Sequence, residues 1–137
     1  MRRIESFMKH KVHQLPPTAS VYEAARLMAA QACASVVVSH RGRLEGIFTS
    51  GDLVKRVTAV RRSPAKTQLG DVMTRGPDTV APTALAIDAL RMMQDCRYRH
   101  LPVVQGEQIV GIVSRRDFFG GEQSIIEDED HLSETMR

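Results

Sequence analysis

Gly46-Ile47-Phe48-Thr49-Ser50-Gly51-Asp52 reads as a buried strand running into the start of a helix. Gly111-Ile112-Val113-Ser114-Arg115-Arg116-Asp117 reads the same way 65 residues later. In each, a hydroxyl is followed three residues on by a carboxylate, the spacing of a capping box. The same offset aligns the chain on either side without a gap. Met8 falls on Met73, Pro17-Thr18-Ala19 on Pro82-Thr83-Ala84, and Ala24, Arg26 and Met28 on Ala89, Arg91 and Met93. Val38 falls on Val103, Gly46-Ile47 on Gly111-Ile112, and Asp52 on Asp117, which makes 11 identities between residues 4–56 and 69–121. The chain is therefore a duplication.

Each copy carries one order of elements. A short segment ends at Met8 or Met73, and a short extended stretch follows at Gln14-Leu15 or Thr79-Val80. An amphipathic helix comes next. In the first copy Ser20 and Glu23 mark its start, and Val21, Ala24, Ala25 and Met28 recur at helical spacing. In the second, Ala86, Leu90 and Met93 do so. Buried strands are expected at Val36–Val38 and Leu101–Val104. Gly-bearing turns lead from them to second strands at Leu44–Thr49 and Ile109–Ser114. A last helix is expected near Asp52 and near Asp117. The fold class is α+β (α/β), two β-α-β-β-α repeats packed as a pseudo-twofold pair. The expected boundaries are residues 1–62 for the first repeat, 63–121 for the second and 122–137 for an acidic C-terminal tail, with Arg61–Gln68 as the link. A unit of this size with few large apolar side chains is marginal alone, which favours two copies sharing the burden of burial. Met28, Met92 and Met93 read as core filler or an oligomer contact rather than a cofactor site.

The 137 residues are 42% hydrophobic and 26% charged, a globular balance rather than a disordered one. Aromatics are 4% with no Trp, which argues against reading single strands by base stacking. The longest apolar runs fall far short of a membrane span, and the N-terminus has no apolar stretch of a secretory signal, so a cytoplasmic protein without membrane insertion is expected. Two cysteines, Cys33 and Cys96, make no disulfide framework and read as buried or partly buried thiols. The net charge of +3 hides an asymmetry: residues 120–137 carry −5 and residues 1–119 carry +8. A basic body favours anionic partners, and the acidic tail is expected either to end in disorder or to lie back over basic surface. Lys55-Arg56, Arg61-Arg62 and Lys66 form a basic stretch, yet no groove-entering element accompanies it, so nucleic acid is the weaker reading. His10 and His13 lack an acid or thiol to complete a metal set. No nucleophile–base arrangement or Gly-rich phosphate loop is present, so nothing argues for catalysis.

Each copy resembles a CBS domain, and the pair resembles a Bateman module. The motifs that carry the resemblance are Asp71-Val72-Met73-Thr74 with Pro82-Thr83, Arg99-His100-Leu101-Pro102-Val103-Val104, and the two strand-to-helix segments quoted above. What the resemblance implies is a regulatory sensor of an adenosine-containing ligand. AMP is favoured; ADP, ATP, S-adenosylmethionine or an NAD-type ligand are the other members of that class. Such a ligand is held in clefts between the repeats, and a flat homodimer of four repeats is common. Carried over, Asp52 and Asp117 would hold ribose hydroxyls. Thr49 and Ser114 would meet phosphate, and Gln14-Leu15 and Thr79-Val80 would bracket adenine.

The chemistry of these residues agrees, because one carboxylate can accept from two vicinal hydroxyls and a helix start favours an anion. Plain capping is the competing reading of Thr49–Asp52 and Ser114–Asp117. The second copy adds Arg97, Arg99, His100, Arg115 and Arg116, where the first has Ala32, Ala34, Ser35, Ser50 and Gly51. Arginine is shaped for phosphate, so the Asp117 site is expected to bind more tightly. With no effector domain in sight, output would pass through self-association or an unidentified effector protein. The alternatives are a ligand-free interaction module with vestigial sites, or nucleic-acid association.

Overall fold

The computed structural model describes residues 1–135, with side chains through Leu132. Strand β1 (Gln14–Leu15) precedes helix α1 (Val21–Gln31), strands β2 (Ser35–His40) and β3 (Arg43–Thr49), and a helical turn α2 (Ser50–Asp52) that continues as a π-helix over Leu53–Thr58. Helix α3 (Leu69–Val72) and strand β4 (Thr74–Arg75) follow. Then come α4 (Ala86–Cys96), β5 (His100–Gln105), β6 (Gln108–Ser114), a 3-10 turn at Arg115–Asp117, and α5 (Gly120–Thr135). The sequence pattern placed α1, α4 and all four long strands, but not the helix of the acidic segment, α5.

Ser20 caps α1, its hydroxyl accepting from the Glu23 N–H at 3.0 Å. Val21, Ala24 and Met28 form the buried stripe of α1, and Ala86, Leu90 and Met93 lie in that of α4. The β2–β3 turn places Arg41 and Gly42 at positive φ, which a tight two-residue hairpin requires. In the second copy the expected last helix starts as a 3-10 turn at Arg115–Asp117, breaks at extended Phe118 and resumes as α5. The acidic segment is helical over Gly120–Thr135 rather than disordered. It does lie over basic side chains, with Glu122 paired to Arg2 at 2.6 Å and Glu129 to Arg91 at 2.7 Å. Met136 and Arg137 lie outside the described residues.

Two compact units cut across the sequence copies. One unit comprises Lys11–Asp78 with Gly106–Ile109. Its sheet runs β1-β2-β3-β4, with β1 parallel to β2 and the other neighbours antiparallel. Its core gathers Val21, Ala24, Met28, Val36, Val38, Phe48 and Val57. Leu69, Val72 and Met73 join them, although by sequence these belong to the second copy. The linker is built in: Val21 N–H donates to Thr67 O at 2.9 Å, and Leu69 N–H to Ala19 O at 2.9 Å.

The other unit comprises Met1–His10, Thr79–Gln105 and Val110–Arg137. Its core includes Ile87, Leu90, Met93, Leu101, Val103, Val113, Phe118 and Ile126, and it takes Ile4 from the far end of the chain. Here β5 and β6 pair, Val80 bridges Val103 in parallel, and Lys9 bridges Ile112 antiparallel. Single bridges thus replace β1 and β4. Ala86 N–H donates to Arg2 O at 2.8 Å, and Ile4 N–H to Ala84 O at 2.9 Å. These repeat the Thr67 and Leu69 bonds, since Arg2 and Ile4 match them under the offset.

The aligned glycines have one cause. A Cβ on Gly46 would stand 2.5 Å from Met73 Sδ and 2.7 Å from Thr74 O. One on Gly111 would stand 2.8 Å from Met8 Sδ and 2.9 Å from Lys9 O. Each glycine makes room for the crossing methionine segment.

Candidate functional site

All nine candidate residues of the second copy fall within one compact unit: Thr79, Val80, Arg97, Arg99, His100, Ser114, Arg115, Arg116 and Asp117. At the end of β6, Asp117 folds back so that Oδ2 accepts the Ser114 N–H at 2.8 Å. The capping reading is therefore correct, and it uses one carboxylate oxygen. Asp117 Oδ1 faces Lys9 Nζ at 3.9 Å, too long for a hydrogen bond. That oxygen keeps acceptor capacity for a ligand hydroxyl. The carboxylate is mostly buried, at 16% exposure, while the lysine is 67% exposed.

Around it the charge is positive. His100 is half-buried at the start of β5. Burial holds its imidazole below the ordinary 6.5, and the Arg116, Arg99 and Lys9 cations push the same way against Asp117. Three cations and one imidazole thus share a neighbourhood with a single carboxylate. A group so lowered is neutral in the fold at pH values where the unfolded chain already binds a proton. Its contribution to stability is whole above 6.5 and is lost as pH falls from there toward the depressed folded value. Melting temperature is expected to fall between pH 7.5 and 5.5 more steeply for the wild type than for His100→Gln. Equal slopes would contradict the placement of His100.

The remaining candidates separate. Arg115 turns from solvent, its guanidinium bonded to Gln94 on α4 and its N–H to Arg99 O at 2.9 Å. Arg97 is the exposed left-handed C-cap of α4, at φ 60°. Val80 is buried and spends its backbone on β5, donating to Pro102 O at 3.1 Å and accepting from Val104 N–H at 2.9 Å. Thr79 beside it is half-buried.

The first-copy residues Gln14, Leu15, Thr49 and Asp52 lie together in the other unit. Thr49 and Asp52 make a reciprocal box, Thr49 N–H to Asp52 Oδ2 at 2.9 Å and Asp52 N–H to Thr49 Oγ1 at 3.2 Å. Asp52 Oδ1 faces Arg56 Nε at 3.6 Å, and Arg56 also donates to Val72 O and Met73 O. Leu15 packs on the core, and exposed Gln14 accepts from the Ser39 hydroxyl at 2.9 Å.

Two partners were absent from the sequence expectation. Arg56 is four residues after Asp52, one helical turn, and was legible there. Lys9 belongs by sequence to the first copy and reaches Asp117 only because residues 1–10 cross into the other unit. Cys96 is exposed rather than buried, and Cys33 is half-buried. Among the described residues no group of three or more His, Cys, Asp or Glu is placed to hold a metal ion, and no helix is long and apolar enough to cross a membrane.

A duplicated sheet-and-helix unit with a capped aspartate at the same point of each copy defines a two-repeat module. The chain belongs to the CBS domain family, whose profile matches residues 4–59 and 69–121. It is 33% identical over 113 residues to the CBS domain-containing protein CBSCBSPB3 of Arabidopsis thaliana, covering 82% of this chain and 20% of that protein. The chain thus spans about a fifth of the length of that relative. The CBS-domain containing protein ATU1752 of Agrobacterium tumefaciens superposes with a TM-score of 0.79 at 27% identity, over 85% of this chain and 95% of that one. The CBS domain pair of protein MJ0100, solved with 5′-methylthioadenosine and S-adenosyl-L-methionine, shares the fold with a TM-score of 0.77 at 22% identity, over 85% and 91%.

Proposed function

We propose that this chain is a non-catalytic ligand sensor that binds an adenosine-containing molecule, with AMP favoured, at the Asp117 site. The observation that carries the reading is the Asp117 carboxylate, with one oxygen outside the cap and Lys9 Nζ 3.9 Å from it, beside an imidazole, His100, on which the Arg116, Arg99 and Lys9 charges act. The carboxylate suits a ribose diol, and the cations suit a phosphate. The Asp52 site has a carboxylate of the same geometry but only Arg56 beside it, already bonded to two carbonyls. It is the weaker site. That MJ0100 holds adenosine derivatives supports the ligand class. Ligand binding would alter the face offered to an effector protein or to a second copy of the chain in a homodimer.

The test is a thermal-shift panel of AMP, ADP, ATP, S-adenosylmethionine and NADH. A ligand at 100 times its dissociation constant stabilises by about 2.7 kcal/mol, which raises the melting temperature by roughly 5–12 °C in a chain of this length. No rise with any of the five at millimolar concentration would turn the reading to a ligand-free interaction module.

A further inference from the structure

Arg2 stands in the same compact unit as Asp117, and its guanidinium joins three segments of that unit. Nη2 donates to Glu122 Oε1 at 2.6 Å and to the Asp117 main-chain oxygen at 3.4 Å. Cζ lies 4.0 Å from the centre of the Phe7 ring and 3.5 Å from that of Phe119. Glu122 Oε1 also accepts the Phe119 N–H at 2.8 Å, so one carboxylate caps the start of α5 and holds Arg2. The two side chains are only 21% and 17% exposed, where solvent screens an ion pair less than at the surface. The same N-terminal arm carries Lys9, whose Nζ faces Asp117 Oδ1.

The duplication does not demand this arrangement. Under the 65-residue offset Arg2, Phe7, Phe119 and Glu122 match Thr67, Val72, Val54 and Val57, which carry neither charge nor ring. The clasp is a feature of the unit that holds Asp117.

We infer that Arg2 is a positioning residue of the Asp117 site and links occupation of that site to the docking of the first turn of α5. A ligand held by Asp117 fixes the turn whose carbonyl Arg2 grips, and Arg2 passes the constraint to Glu122. The link is reciprocal, so loosening Glu122 weakens the ligand. This inference rests on the adenosine-ligand reading and adds the element that responds to occupation.

Hydrogen exchange and AMP titration calorimetry test it on the wild type, Arg2→Gln, Glu122→Gln and the double variant. Without ligand, Arg2→Gln is expected to speed exchange about fivefold at residues 119–123 and at the Ser114 N–H, which donates to Asp117 Oδ2. AMP slows exchange over 114–117 and 119–123 in the wild type, and over 114–117 alone in Arg2→Gln. The AMP dissociation constant rises about tenfold in each single variant, and no further in the double, because the two changes break one contact. Arg91→Gln is the control. It removes another ion pair of α5, to Glu129 at 2.7 Å, and AMP affinity stays that of the wild type. Buried Ile126 and the Arg91 pair keep α5 in place in the Arg2 and Glu122 variants, and melting curves check that each folds. A wild type that binds no AMP would overturn the ligand reading and the link with it. Wild-type exchange at Ser114 in Arg2→Gln would overturn the positioning role. AMP that binds without protecting 119–123, or binds Arg2→Gln as tightly as the wild type, would overturn the link alone.

Discussion

Asp117→Asn is expected to remove most of the thermal stabilisation that AMP gives the chain, and Asp52→Asn to leave most of it. The substitution is nearly isosteric, and its amide oxygen can still accept the Ser114 N–H that Oδ2 holds at 2.8 Å. What disappears is the charged acceptor at Oδ1, beside Lys9. Hydrogen bonds to a charged group contribute about 1.5–3 kcal/mol, so affinity should fall on the order of ten- to a hundredfold. At a fixed AMP concentration of 100 times the wild-type dissociation constant, stabilisation then drops from about 2.7 kcal/mol to roughly 0.4–1.4 kcal/mol. Melting each variant without ligand separates the cap, whose loss costs about 0.5–2 kcal/mol, from the ligand. A response lost in Asp52→Asn and kept in Asp117→Asn would reverse the ranking of the two sites. A response kept in both would leave the aspartates with capping alone.

The second large effect lies in the first ten residues. Ile4→Ala is expected to cost about 2–5 kcal/mol, the range for emptying a packed core position, and to lower the melting temperature by roughly 6–20 °C. Ile4 has no exposed surface and packs among Leu90, Met93, Leu101 and Val113. Met1, three residues earlier, is 91% exposed, and Met1→Ala should melt as the wild type does. Calorimetry of the two variants decides the point. If Ile4→Ala melts with the wild type, the N-terminal segment is not part of that core, and Lys9 loses the support that brings it to Asp117.

The 65-residue offset made most of the architecture legible. The stripe Val21, Ala24, Met28 and the aligned strands needed only periodicity, and both capped aspartates could be named from spacing. The exchange of Ile4–Met8 and Leu69–Met73 could not. An offset says which residues are alike and nothing about which core each segment enters. Lys9 was missed for that reason, since it lies in the first copy's sequence and the second copy's unit. Gly46 and Gly111 did carry a trace of the exchange, because each is small where a methionine crosses. The break in the last helix between the 3-10 turn at Arg115–Asp117 and α5 was also hidden. Phe118 enters the core of its unit there, which breaks the helix before α5. The left-handed backbone of Arg97, set by the end of α4, was hidden too.

The most direct measurement is the wild-type melting temperature with AMP and with adenosine side by side. In the proposed site Asp117 would answer to the ribose that both molecules carry, and Lys9, Arg99 and Arg116 to the phosphate that only AMP carries. A clear rise with AMP at millimolar concentration is expected, and a smaller one with adenosine. No rise with AMP or any other adenosine-containing ligand, in a chain that melts cooperatively, would contradict it.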